Sequence, residues 1–250
     1  MNATTTYQKF AQFYDAYVQD FAHDLEFYTT LCQPEDRLLE IGCGTGRVLK
    51  YVLERGYSIT GVDISHDMLD VARQKLHVFV ENGQLRLLNH DFQHAPLENR
   101  YDKILVTFYT FNYILEQPET FLRHLAASLV PGGLLVMDLF YPHTLAHPED
   151  ENVWREKAWH FQQRVIHLKD KRTVRDNIEE RIQIYIEGDE EIDITTHRKY
   201  YAPDDITQLL KSAGFHDTLV SAAYASGYFQ ATIPESRLSD HFLVRTVKQD

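Results

Sequence analysis

Apolar and polar positions over residues 1–140 follow two alternating periods. Short apolar runs predict five β-strands, at 37–41, 57–63, 84–88, 101–108 and 134–140. Between the strands, apolar side chains recur every three or four residues and predict helices, at 47–55, 66–80 and 118–129. An aromatic stripe with the same spacing predicts one further helix over 7–31, ahead of Pro34. Strands that alternate with helices indicate an α/β fold with a parallel sheet.

The pattern changes after residue 140. Strict alternation of apolar and polar residues predicts three antiparallel strands, at 159–168, 174–187 and 190–201. A helix over 203–213 follows, and segments 216–223 and 241–247 complete the first sheet as an antiparallel pair. We therefore expect a Rossmann-like, seven-stranded, mostly parallel sheet with helices on both faces, plus an antiparallel β insertion. The predicted core is 1–140 and 203–250, with a helical cap over 1–33. The insertion, 141–202, would be a lid or an oligomer contact, such as that of a homodimer.

A glycine-rich turn joins the first strand to the helix at 47–55. It contains Gly42, Gly44 and Gly46, and the next strand ends on Asp63. Glycines let the backbone approach a ligand at the positive end of a helix, and an acid at this spacing can accept ribose hydroxyls. The unit therefore predicts a nucleotide site. It differs from the dinucleotide pattern, which requires a glycine where this chain has Arg47.

The G-x-G-x-G turn, with Glu40 two residues ahead of it, resembles motif I of class I S-adenosylmethionine-dependent methyltransferases. The chain continues in the order of that family's small-molecule branch, which includes amino-sugar N,N-dimethyltransferases and glycine-type N-methyltransferases. The similar segments are 14–15, 40–46, 63–69, 91–92, 106–113, 129–135 and 198–215. The resemblance covers nearly the whole chain, and it is more specific for fold and cofactor than for the methyl acceptor.

The resemblance implies S-adenosylmethionine as cofactor, with S-adenosylhomocysteine as product. The glycines and Cys43 would shape the turn under the methionine part, and Glu40 would attract its ammonium. The ribose would lie on Asp63 and the adenine between Ile64, Met68, Asp91 and Phe92, while Tyr14, Thr107 and Phe108 would surround the methionine and sulfonium. Core packing is an equal alternative for Met68 and Tyr14, and a loop cap is the alternative for Asp91.

The resemblance also bears on catalysis. Methyl transfer from a sulfonium requires positioning of the acceptor, and a base is helpful but not essential. Tyr113 stands about where the amino-sugar branch carries a histidine, and with an ordinary pKa of about 10 it would orient an acceptor better than deprotonate it. His143 is the second candidate, with a surface position as the alternative. His143 and His147 have metal-ligand spacing but no compelling acidic partner, so we expect no metal.

The insertion carries aromatic residues that would wall an acceptor pocket: Trp154, Trp159, Phe161, Tyr200 and Tyr201. Arg155, Arg164 and Arg198 would bind an acidic acceptor there, or would lie on a solvated face. We expect a methyltransferase acting on a small-molecule nitrogen or oxygen. Two alternatives remain: a protein that binds S-adenosylmethionine for regulation without transfer, and an S-adenosylmethionine-dependent enzyme of other chemistry.

Charge and composition narrow the function further. The 250 residues suit one α/β domain with an insertion, and the net charge of −12 disfavours nucleic acid as a partner. The Asn/Asp-Pro-Pro-aromatic motif of base amino-methylases is absent after the fourth strand. The two cysteines, Cys32 and Cys43, provide no disulfide framework. Residues 1–7 do not resemble a secretory signal, and we expect a cytoplasmic protein without a membrane span.

Overall fold

Eleven strands and seven α-helices are present in the computed structural model, which describes residues 3–142, 147–238 and 240–249. The strands are β1 (Leu38–Ile41), β2 (Ile59–Asp63), β3 (Leu85–Asn89), β4 (Tyr101–Val106), β5 (Leu129–Phe140), β6 (Arg155–Phe161), β7 (Arg164–Arg175), β8 (Ile178–Glu187), β9 (Glu190–Lys199), β10 (Phe215–Ser221) and β11 (His241–Lys248). The helices are α1 (Ala3–Val18), α2 (Leu25–Thr30), α3 (Arg47–Leu53), α4 (His66–Lys75), α5 (His77–Glu81), α6 (Pro118–Ser128) and α7 (Pro203–Ser212).

The larger sheet has seven strands in the order β10-β11-β5-β4-β1-β2-β3. The five strands from β5 to β3 are parallel, and β11 pairs antiparallel with both β5 and β10. All four residues of β1 are buried, as is usual for a central parallel strand that is covered on both faces. The predicted Rossmann-like, mostly parallel sheet is therefore confirmed.

Two of the predicted helices are interrupted. The helix expected over 7–31 ends at Val18 and resumes at Leu25, because the intervening segment bonds to Arg47 instead. Arg47 donates to the Phe21 carbonyl (3.0 Å) and to both carboxylate oxygens of buried Asp24 (2.7 Å each). The helix expected over 66–80 is broken at Leu76, whose backbone lies outside the helical region (φ −114°, ψ 21°).

The smaller sheet is antiparallel, with the order β6-β7-β8-β9. The expectation of three strands was wrong, because two turns lie inside the segments predicted as single strands. Gln162 separates β6 from β7, and Asp176 with Asn177 separates β7 from β8; all three residues have positive φ. Tight hairpins favour such backbone angles, and glycine usually supplies them. These turns contain no glycine, so the sequence pattern showed no interruption.

Helix α1 lies between the two sheets. Its Phe13 is fully buried and stacks on Tyr185 of β8, with ring centroids 5.5 Å apart. On its other side, Asp15 accepts a hydrogen bond from Thr45 in the glycine turn (2.6 Å) and pairs with Lys75 of α4 (2.8 Å). The helix therefore connects the smaller sheet to the glycine turn. Within the described residues, no helix has the length and apolar character needed to cross a membrane.

Candidate functional site

The glycine turn is held against β2 and the loop after β4. The backbone N–H groups of Gly42 and Cys43 both donate to the Val62 carbonyl, at 2.8 and 3.0 Å. Gly42 has a φ of 70°, and a Cβ at this position would lie 2.2 Å from the hydroxyl oxygen of Thr110. Gly44 has a φ of 52° and lies under the ring of Tyr14. Both the backbone angle and the close neighbour therefore require glycine at position 42.

Asp63 faces the glycine turn from the end of β2. Its carboxylate accepts hydrogen bonds from the backbone N–H groups of Gly44 (2.8 Å) and Ser65 (2.9 Å), one on each oxygen. Burial raises the pKa of Asp63, and these two hydrogen bonds oppose that rise. Each oxygen retains acceptor capacity for a further donor. The next side chain, Ile64, is 38% exposed, unusually open for a large aliphatic residue at a strand end.

Glu40 is buried in the central strand, immediately before the glycine turn. One carboxylate oxygen accepts the hydroxyl of Thr107 (2.7 Å), and the other is buried with no hydrogen-bond partner among the described residues. Burial raises the pKa of Glu40 from 4.5 to about 8, although the Thr107 hydrogen bond opposes the rise. A buried oxygen without a partner is rare and requires an explanation. A cationic donor bound beside the turn, such as the ammonium of a methionine group, would satisfy it.

The other predicted cofactor residues lie beside the glycine turn, in the loop after β3 or in the protein interior. Tyr14 and Phe108 lie beside the turn, with their rings edge to face at 6.3 Å. Asp91 is partly exposed and accepts from the Gln93 backbone N–H (2.8 Å), while neighbouring Phe92 is buried. Met68 and Cys43 face the interior instead. Met68 belongs to the buried cluster that includes Phe10 and Phe13, and the Cys43 sulfur lies 3.0 Å from where a Cβ on Gly61 would stand.

Of the two predicted catalytic residues, the structure describes Tyr113 but not His143. Tyr113 ends a short 3-10 helix over Thr110–Tyr113, and burial raises its pKa, with Arg198 and Tyr17 among its electrostatic neighbours. At neutral pH its hydroxyl therefore keeps its proton. His143 lies outside the described residues. His147 is described, and its Nδ1 is 3.3 Å from Glu149. In the part of the chain that the structure describes, no three His, Cys, Asp or Glu side chains are grouped as metal ligands.

A cavity of about 360 Å³ opens next to Phe108, at the carboxyl ends of β4 and β5. Half of the lining residues are aromatic and come from α1, the segment after it, the loop after β4 and the end of β5: Tyr17, Phe21, Phe108, Tyr109 and Phe140. The other half are charged: Arg155, Arg172, Arg181, Arg198 and Asp240. In open α/β folds, ligands bind at this edge of the sheet. The volume is that of a small-molecule pocket.

The loop that carries Phe108 is strained. Phe108 and Tyr109 follow β4 with positive φ angles of 51° and 65°, which cost about 1–3 kcal/mol for each residue that is not glycine. The Tyr109 N–H donates to Asp138 (3.3 Å), a buried carboxyl whose pKa burial raises to about 6. Strain of this kind is common at binding sites, and here it turns two aromatic rings towards the cavity.

Sequence reasoning missed much of the cavity wall. The aromatic residues predicted to form it lie in the insertion, whereas none of the aromatic side chains that line the cavity does. Of its arginines, Arg155 and Arg198 were predicted, whereas Arg172 and Arg181 were not. Arg164, which was predicted, instead pairs with Glu187 (2.7 Å) and does not line the cavity. Tyr17 and Phe21 were visible only as members of an aromatic stripe. Arg172 lies between the strands predicted at 159–168 and 174–187, so alternation gave it no face. Arg181 lies inside a predicted strand, but alternation could not show which face of that strand meets the larger sheet.

The chain is similar to known proteins over almost its full length. YqeM, a protein of Bacillus subtilis (strain 168) named as a methyltransferase, is 23% identical over 238 residues, which cover 87% of this chain and 90% of YqeM. Several other curated relatives are matched over only 42% to 61% of their own length.

Two solved structures share the fold. An S-adenosylmethionine-dependent methyltransferase from Clostridium acetobutylicum ATCC 824 superposes with a TM-score of 0.77 at 18% identity, over 98% of this chain and 99% of the other. The sugar N-methyltransferase KedS8 from Streptoalloteichus sp ATCC 53650 has a TM-score of 0.72 at 18% identity, over 96% and 93%. At 18% identity, the similarity to these two structures shows a shared fold and nothing more specific.

The seven-stranded sheet and its glycine turn define a class I S-adenosylmethionine-dependent methyltransferase. The family model described as a methyltransferase domain matches residues 7–220, and the chain belongs to that family. S-adenosylmethionine is its methyl donor. The buried, unpartnered oxygen of Glu40 and the remaining acceptor capacity of Asp63 fit such a group.

Proposed function

We propose that the protein transfers a methyl group in line from S-adenosylmethionine to a nitrogen or oxygen of a small-molecule acceptor. The observation that carries this proposal is the cavity beside Phe108. It adjoins the predicted cofactor residues and has a small-molecule volume of about 360 Å³. The net charge of −12 supports a small molecule over nucleic acid.

The residues at the turn would hold the donor, which when bound supplies a methyl group activated by its sulfonium charge. The backbone at Gly42 and Gly44 would allow its close approach, Asp63 would accept its ribose hydroxyls, and Glu40 would pair with its ammonium. Ile64 and Asp91 are accessible enough to contact an adenine. Met68 and Cys43 would support the site by packing, because their side chains face the interior.

On the acceptor side, the aromatic rings would exclude water and orient the acceptor towards the cofactor residues. Phe108 is the ring common to both regions, since it contacts Tyr14 near the turn and lines the cavity. Tyr113 is not among the residues that line the cavity, so it would reach an acceptor only as a hydrogen-bond donor from beside it, in keeping with its raised pKa. The smaller sheet supplies the four arginines of the cavity wall, which supports the proposal that residues 141–202 form a lid. A homodimer contact through the same sheet stays a prediction.

The test is calorimetric titration of S-adenosylmethionine into the wild type, Asp63→Ala and Asp70→Ala. Asp63→Ala is expected to weaken binding at least tenfold, about 1.4 kcal/mol, because a carboxylate that accepts from the turn and from the ribose is removed. Asp70, on the exposed side of α4 and paired with Arg73, is the matched control and should bind as the wild type does.

The two outcomes separate the alternatives. Equal binding by both variants would contradict the role of Asp63. Binding followed by formation of S-adenosylhomocysteine with a small amine or hydroxyl acceptor would support methyl transfer. Binding without product across a broad acceptor screen would favour a regulatory protein or another chemistry.

A further inference from the structure

We propose that the acceptor carries a single oxyanion, a carboxylate or a phosphate-type group, on a flat apolar body, and that the arginines of the smaller sheet bind this group. The proposal rests on the proposed function, since it names the substrate class of the same cavity. It follows from the register of the smaller sheet, the balance of buried charge, an unpartnered guanidinium nitrogen and the aromatic wall.

The register brings one arginine from each of the four strands to one face. Arg172 of β7 lies directly opposite Arg181 of β8, and Arg198 of β9 lies opposite Glu179. Arg155 of β6 lies opposite Asp170, two residues from Arg172 and hence on the same face. All four guanidinium groups therefore belong to the face that lines the cavity.

Like charges directly opposite each other destabilise a sheet, so the Arg172–Arg181 pair requires compensation. Asp170 provides part of it, because one of its oxygens accepts from the Nε of both arginines at 3.1 Å. Glu179 pairs with Arg198. In this inner layer, three guanidinium groups face two carboxylates, which leaves one positive charge in excess. Arg155 and Asp150 pair with each other and add no net charge, and Asp240 is more than half exposed, so that water screens its charge.

Arg198 has an unused donor. Its side chain is only 6% exposed, and its Nε is buried with no hydrogen-bond partner among the described residues. The guanidinium carbon lies 3.6 Å from the centre of the Phe140 ring, on the cavity wall. An unsatisfied buried donor is costly, and a charge-assisted hydrogen bond to an oxyanion would satisfy it. Such a bond would also use the excess positive charge.

The pKa of Tyr17 indicates a positive electrostatic potential in the cavity. Burial alone would raise its pKa, but Arg181 and Arg198 outweigh burial and lower the pKa of Tyr17 below its ordinary value of 10. Arg181 donates to the Tyr17 hydroxyl at 2.8 Å. The same groups that favour a tyrosinate would favour a carboxylate or phosphate beside them. At nearby Tyr113, burial outweighs the same two arginines and the pKa is raised, so their effect is larger at Tyr17.

The aromatic residues that line the cavity restrict the rest of the acceptor. The five side chains offer ring faces and edges at the distances typical of stacking: Phe108 and Tyr109 are stacked at 5.4 Å, and Phe21 contacts Phe108 at 4.9 Å. These rings pack against one another and present an apolar surface to the cavity. A flat apolar body would lie on this surface, with its anionic group towards the arginines and its nucleophile towards Phe108.

The experiment uses three probes of similar size that differ in charge: benzoate, phenyl phosphate and benzamide. Each is titrated into the full chain saturated with S-adenosylhomocysteine, and binding is measured by calorimetry. Benzoate or phenyl phosphate is expected to bind at least tenfold more tightly than benzamide. The tighter of the two anions identifies carboxylate or phosphate as the group preferred.

Two arginine variants of β7 provide the matched comparison. Arg172→Gln removes one guanidinium from the cavity but leaves Asp170 paired with Arg181, so the fold is retained; it is expected to weaken anion binding about tenfold, roughly 1.4 kcal/mol. Arg164→Gln removes an arginine from the same strand outside the cavity and should leave anion binding unchanged. Melting temperatures of both variants check that each is folded.

The results distinguish this inference from the proposed function. Equal or tighter binding of benzamide, no binding by either anion, or unchanged anion binding in folded Arg172→Gln would each overturn the inference while S-adenosylhomocysteine still binds. Failure of the wild type to bind S-adenosylmethionine or S-adenosylhomocysteine would instead contradict the proposed function.

Discussion

Glu40 shows how burial, rather than residue type, determines the chemistry of a side chain. In an exposed position its carboxyl would be ionised at neutral pH. In β1 it is 1% exposed, is bonded to Thr107 on one oxygen only, and has a pKa raised to about 8. Without a ligand, the protonated form therefore predominates at pH 7. A bound ammonium would reverse this preference, because an opposite charge favours the carboxylate.

Binding of S-adenosylmethionine at pH 7 is accordingly expected to release close to one proton from Glu40. Since the released proton is favoured as pH rises, affinity should increase between pH 7 and about 8, the pKa of the ligand-free carboxyl. Calorimetry in two buffers with different ionisation enthalpies measures the release. Glu40→Gln, which retains an acceptor for Thr107, should release no proton; equal release by both proteins would exclude Glu40 as its source.

At the scale of elements, the glycine turn and the loop after β4 form one unit. Gly42 has no side chain where Thr110 packs, and Glu40 and Thr107 connect the two elements by a hydrogen bond. The turn was predicted because its glycines and the acid after β2 are local signals. Its contact with Thr110 was not, because strands β1 and β4 are adjacent in space but about sixty residues apart in the chain.

Gly42→Ala is therefore expected to destabilise the protein and to abolish cofactor binding, because the new Cβ would displace Thr110 and the loop after β4. Gly83→Ala is the matched control: Gly83 also has a positive φ (81°), but no atom of the described residues lies within 4 Å of its Cβ position. The control should show only the backbone cost of about 1 kcal/mol. Thermal unfolding and titration of S-adenosylmethionine measure both effects, and equal behaviour of the two variants would show that the contact is unimportant.

The smaller sheet shows that alternation predicts strands better than it predicts the turns between them. Alternation predicted extended structure over most of 155–199, and that expectation was correct in kind. It missed the turns at Gln162 and at Asp176 with Asn177, so the strand count was wrong and the register could not be derived. Register decides which arginines are neighbours, since a shift of one residue moves every side chain to the other face.

At the scale of the whole molecule, α1 joins the two sheets around the site. Phe13 and Phe10 pack on the smaller sheet through Tyr185, while Asp15 bonds to the glycine turn. Tyr17, in the same helix, reaches Arg181 at the cavity. One helix therefore contacts the cofactor side and the acceptor side, which makes its docking a condition for assembling both.

Phe13→Ala should cost about 3–5 kcal/mol of unfolding free energy, because it removes a fully buried ring from between α1 and the smaller sheet. The loss should appear in urea unfolding, and acceptor methylation should fall more than S-adenosylmethionine binding. Val78→Ala, at a side chain that is 55% exposed, is the control and should change stability by less than about 0.5 kcal/mol. A similar small change for Phe13→Ala would show that α1 is not anchored there.

The sequence by itself determined the α/β class, the glycine turn and Asp63, because periodicity, glycine spacing and strand ends are signals that lie within a few residues of one another. Only the tertiary structure decided that one oxygen of Glu40 has no partner among the described residues, that Met68 faces the interior, and that four arginines from four strands line one cavity. These properties depend on burial and register between segments far apart in the chain. Local patterns predict that such segments form, but not which faces they bring together.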